Sequence, residues 1–64
     1  MYANLETVMK EKGLGMKDIA GLFTNDENYF FIISKLEENA ITYDEALLIR
    51  EEFFSEYSLE FLFQ

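Results

Sequence analysis

The chain has 64 residues with 13 acids, 5 bases and no histidine, a formal net charge of -8. That length allows one domain, residues 1–64, and 50% hydrophobic with 17% aromatic residues excludes disorder despite the charge. The absence of cysteine excludes disulfides and thiolate metal sites, and no apolar run approaches the roughly 18 residues of a membrane span. The opening Met1-Tyr2-Ala3-Asn4-Leu5-Glu6 lacks the basic and apolar regions of a signal peptide, so a soluble cytoplasmic protein is expected. Its acidic surface repels nucleic acid and anionic membranes and favours basic protein surfaces.

With no proline and three glycines, little interrupts helix formation. Leu5, Val8, Met9 and Lys12 fall at helical spacing, and Gly13 is placed to stop the segment, so helix 1 is expected at about residues 3–12. A second helix is expected from Met16 to Phe23, opened by Gly15 or Met16, with Ile19, Ala20 and Phe23 as its apolar stripe. Thr24 and Glu27 fit a capping box, with Asp26 a rival N-cap.

Helix 3 is expected at about residues 27–38. Tyr29, Ile32, Ile33 and Leu36 follow the i, i+3, i+4, i+7 spacing of a buried face. Tyr29 to Ile33 also suits a β-strand by propensity, but Ser34 to Glu38 continue the helical pattern and no partner strand is visible. Phe30 and Phe31 are surplus to that face. They belong either to the core or to an exposed pair that a partner or a second copy would cover.

Thr42 and Glu45 form a second capping box, Ile41 can staple onto Ala46, and Asp44 with Glu45 suits the positive end of a helix dipole. Helix 4 should run to about Phe54, burying Ala46, Leu47, Ile49, Phe53 and Phe54. Ser58 should cap a last short turn, Leu59 to Phe63, folding back on the core. The expected fold is therefore all-α, a compact bundle of four to five short helices.

Catalysis has little to work with. There is no histidine, cysteine or glycine-rich phosphate loop. The adjacent acids Glu37-Glu38 and Glu51-Glu52 diverge by about 100° on a helix and do not converge on one substrate. No loop has the alternating oxygens and central glycine of an EF-hand. No enzyme activity, cofactor or metal site is expected.

The ends of the chain resemble the small helix-turn-helix domains of the Cro and lambda-repressor type found in phages and prophages. Tyr2-Ala3-Asn4-Leu5, Lys12-Gly13 and Met16-Lys17-Asp18-Ile19-Ala20 look like that family's first two helices. Lys35-Leu36, Asp44 to Arg50, Glu52-Phe53-Phe54 and Tyr57 to Phe63 are similar to its tail. The resemblance implies a repressor-like bundle in which Lys17 approaches a phosphate. The departures fall on the recognition helix. Thr24 and Asn25 stand where the family has glycine and an apolar residue, the helix is about two residues longer, and Glu27, Asn28, Phe30 and Phe31 replace polar and basic base-reading residues.

Two functions follow as expectations. The first is a protein-binding module, an inhibitor of a nucleic-acid-handling protein in the manner of an anti-CRISPR or anti-restriction protein. Glu37, Glu38, Asp44, Glu45, Glu51 and Glu52 would imitate phosphates, while Phe30 and Phe31 would anchor the partner. The alternative is a DNA-binding regulator using Lys17, Asn28 and Lys35.

Overall fold

The computed structural model of the chain describes residues 1–23 and 26–64, and for residues 26–28 the backbone alone. The first helix, α1 (Ala3–Lys12), stops at Gly13, which adopts φ 70°. Leu14 N–H then donates to Met9 O at 2.8 Å and Gly13 N–H to Lys10 O at 3.2 Å, a left-handed cap that costs glycine nothing.

The second helix, α2 (Met16–Ala20), begins where the Gly15 N–H donates to the Asp18 carboxylate at 2.8 Å. It is shorter than the sequence suggests. After Ala20 the chain tightens: Leu22 N–H donates to Ile19 O and Phe23 N–H to Ala20 O, three residues back rather than four. This turn seats Leu22 and Phe23 against the core, where a continued helix was expected to carry Phe23 in line with Ile19.

The third helix, α3 (Asp26–Glu38), is helical through the whole Tyr29 to Ile33 run. It ends at Asn39, a non-glycine residue at φ 57°, with Ala40 N–H donating to Lys35 O at 2.8 Å. Asparagine is among the few residues that tolerate this conformation. The expected Thr24–Glu27 capping box lies outside what is described, as does the Asp26 side chain on which the rival cap depends.

The fourth helix, α4 (Tyr43–Phe53), carries the full capping box. Glu45 N–H donates to Thr42 Oγ1 at 3.3 Å, and Thr42 N–H donates to Glu45 Oε1 at 2.9 Å. Ile41 and Ala46, the two residues of the expected staple, both line one open groove. The last helix, α5 (Leu59–Leu62), starts at Ser58, whose Oγ accepts Phe61 N–H at 3.1 Å.

These five helices make a compact all-α bundle measuring 28 × 22 × 19 Å. α2 packs on α3, and α5 packs on both α1 and α4. Leu5, Ile19, Leu36, Ile49, Phe54 and Leu62 are fully buried and Ile32 nearly so, drawing side chains from every helix. Tyr29, Ile33 and Phe53, expected in the core, sit half-buried at its margin, and Leu47 is also half-buried. The distal parts are tied across the chain. Asn4 Nδ2 donates to Phe61 O at 2.9 Å, and Tyr2 packs edge-on to Phe63 with centroids 5.2 Å apart. Among the described residues, no helix is long and apolar enough to cross a membrane.

The Thr42 cap sets where α4 begins, so Thr42→Ala should lower stability by about 0.5–2 kcal/mol in urea denaturation. An unchanged midpoint would show that the cap does not hold α4.

Candidate functional site

Helical geometry sorts the α3 side chains. With Ile32 and Leu36 buried, Phe30, Phe31, Ser34, Glu37 and Glu38 recur at spacings of three, four and seven on the opposite face. Phe30 is 71% exposed and Phe31 62%, so neither belongs to the core. Phe30 leans edge-on against the half-buried Tyr29, with ring centroids 5.3 Å apart. Glu37 and Glu38 lie seven residues on, roughly 10 Å along the axis. One helix face therefore pairs an aromatic half with an acidic half.

The outer face of α4 repeats the combination. Ile49 points into the core, while Asp44, Leu48, Glu51 and Glu52 are exposed. Leu48 lies four residues after Asp44 and three and four before Glu51 and Glu52, so carboxylates surround a side chain 54% open to solvent. Sequence reasoning missed Leu48. The signal was present in its spacing from the acids once the Thr42 cap fixed the start of the helix.

Glu45 departs from the expected acidic array. It is half-buried, with one oxygen accepting Thr42 N–H and the other held by Lys35 Nζ at 2.8 Å. Its role is internal: it starts α4 and joins that helix to α3. Partial burial raises its pKa, but the Lys35 bond and the Thr42 bonds outweigh this and leave it below the ordinary carboxylate value.

Lys35 Nζ is thus engaged by Glu45, and other bases are also engaged within the chain. Lys10 meets Glu6 at 3.3 Å across one helical turn. Lys12 bridges Glu56 at 2.7 Å and Phe53 O at 3.1 Å, which holds the Glu56 carboxyl below its ordinary range. Arg50 donates to the carbonyls of Tyr57 and Ser55. Lys17 alone among the five bases has no ion-pair or hydrogen-bond partner among the described residues, and it is exposed on α2. The Asn28 side chain lies outside the described residues. By contrast, the carboxylates of Glu37, Glu38, Asp44, Glu51 and Glu52 form no ion pair among those residues, although the Met1 ammonium donates to the Glu37 carbonyl at 3.1 Å.

The arrangement suits contact with a surface that is basic and partly apolar. Among the described residues, no three carboxylates gather closely enough to hold a metal ion. No protein family, curated protein or solved structure matches the chain.

Because Glu45 is depressed in the folded state, its contribution is full above the unfolded carboxylate value. It is lost as pH falls through the lower folded value. Stability measured by urea denaturation should therefore fall between about pH 5 and pH 3, and Glu45→Gln should flatten that fall. An identical pH profile for the two proteins would remove the pair from the account. Phe30→Ala and Phe31→Ala should leave the melting temperature nearly unchanged, whereas Leu36→Ala should cost about 2–5 kcal/mol through the cavity it opens.

Proposed function

We propose that this chain is an acidic protein-binding module that inhibits a nucleic-acid-handling protein, as an anti-CRISPR or anti-restriction protein does. Its outward acids stand in for the phosphates the target normally binds. The observation that carries the reading is the division of charge. Lys10, Lys12, Lys35 and Arg50 are engaged by the chain's own oxygens, while Glu37, Glu38, Asp44, Glu51 and Glu52 face outward. The field beyond the surface is thus negative, which repels DNA and steers a basic channel toward the protein. Phe30, Phe31 and Leu48 supply apolar area that holds the partner once it arrives. The reading assigns no catalysis, and it places the protein in the cytoplasm with its target. Covering Phe30 and Phe31 with a second copy would bring together two chains that each carry a net charge of -8, so a basic partner is favoured over a homodimer.

The second reading keeps the Cro and repressor resemblance and makes the protein a DNA-binding regulator. Its one support is Lys17, exposed on α2 and unpaired among the described residues. A single base gives little counterion release compared with the several phosphate contacts of a DNA-binding domain.

Tagged protein incubated with a nuclease-treated host lysate should recover a basic nucleic-acid-binding enzyme. Surface plasmon resonance with that enzyme should then separate charge from apolar anchoring. Glu37→Lys with Glu38→Lys should slow association about tenfold at low salt and less at high salt. Phe30→Ala or Phe31→Ala should instead speed dissociation about tenfold. Fluorescence anisotropy against genomic fragments should show no selective binding at physiological salt. A saturable, sequence-selective nanomolar complex with duplex DNA would overturn the proposal and favour the regulator.

A further inference from the structure

An open groove of about 340 Å³ lies away from Phe30 and Phe31. Its lining comes from distant parts of the chain: Tyr2 before α1, Ile41 between α3 and α4, Tyr43 and Ala46 on α4, Leu59 and Glu60 on α5, and Phe63 beyond it. Tyr2 and Ala46 are buried and form the floor. The floor is rigid, because Ile41 N–H donates to the Tyr2 hydroxyl at 3.1 Å and the Tyr2 ring packs edge-on to Phe63. Tyr43 contributes a ring that is 71% exposed, although its neighbours are apolar. Glu60 is the one charged residue of the lining, and it has no cationic partner among the described residues.

We propose that this groove receives an arginine side chain from the basic protein partner. The inference rests on the reading of that partner as basic. Three aromatic rings, a single carboxylate and no base make a receptor for an organic cation. The amino-terminal ends of α4 and α5 flank the groove, and an uncapped helix start would favour an anion instead. Here Thr42 and Ser58 cap those ends, Asp44 and Glu60 add negative charge to their first turns, and Glu45 is already paired with Lys35. The local field therefore attracts cations. Arginine fits better than lysine. Its planar guanidinium is weakly hydrated, stacks on aromatic rings and offers a two-pronged donor to a carboxylate. The volume is at the small end for ligand pockets and suits one long side chain.

The test uses the full chain and a singly charged probe, acetyl-Gly-Arg-Gly-amide, followed by NMR chemical shifts, with the lysine tripeptide as control. The arginine peptide should shift the resonances of Tyr2, Tyr43, Ala46 and Phe63 saturably and bind more tightly than the lysine peptide. Glu60→Gln and Tyr43→Ala should each weaken it about 2- to 10-fold. Both side chains are exposed and lie outside the Thr42–Glu45 capping box, so both variants should fold, which the unperturbed part of the spectrum verifies. Glu11→Gln, exposed on α1 and away from both the groove and the acidic faces, should leave the affinity unchanged. Absence of saturable shifts at the groove, equal affinity for the two peptides, or an unaltered affinity in Glu60→Gln would each overturn the proposal. Shifts confined to the acids of α3 and α4 would overturn the groove and leave the acidic-surface reading standing. Groove binding that persists in a chain capturing no basic protein would support the arginine receptor and overturn the inhibitor reading.

Discussion

Leu5, Ile19, Leu36, Ile49, Phe54 and Leu62 lose all contact with water together, and each of the five helices supplies at least one side chain to the buried core. Helices of four to thirteen residues are marginal or unstable alone. Each is therefore held by the apolar face it buries against the others, at roughly 1.5–3 kcal/mol per large side chain. That mutual dependence leaves the outside of the bundle free to vary. Phe30, Phe31 and Leu48 are additional apolar residues beyond this core, and their exposure is what makes the surface a candidate for binding.

The same dependence explains the use of the few bases. Lys12 reaches from the end of α1 to Phe53 and Glu56, Lys35 joins α3 to Glu45 on α4, and Arg50 gathers the carbonyls of the segment between α4 and α5. These contacts close joints between elements that share few other polar links. Lys10, Lys12, Lys35 and Arg50 are all engaged by oxygens of the chain itself.

Surface acids and apolar side chains have complementary roles in the proposed interface. Carboxylates act over a Debye length of about 8 Å at physiological ionic strength and govern encounter. Phe30, Phe31 and Leu48 act only on contact and govern lifetime. Their alternation on the outer faces of α3 and α4 would let one surface do both. The groove around Tyr43 and Glu60 adds a site where one side chain of the partner would be read by shape and charge together.

Local signals were legible in the sequence because their physics is local. Gly13 stops α1, Thr42 with Glu45 starts α4, and Ser58 starts α5, each through hydrogen bonds spanning a few residues. Periodicity marked Phe30 and Phe31 as surplus to the buried face but left core and surface both open, and the burial of Ile32 and Leu36 in the folded bundle turned residues 30 and 31 outward. The early end of α2 was not legible, because the packing of Leu22 and Phe23 on the core outweighs a continuing helical pattern. Nor was the internal role of Glu45, whose partner Lys35 sits ten residues away on another helix. Lys12 finds Glu56 across 44 residues, and the groove is built from Tyr2, Ile41 and Phe63. Helix boundaries and faces depend on neighbours along the chain, so the sequence alone determined most of them. Which charges are neutralised and where a groove opens depend on residues distant in sequence, and only the packing of the five helices decided them.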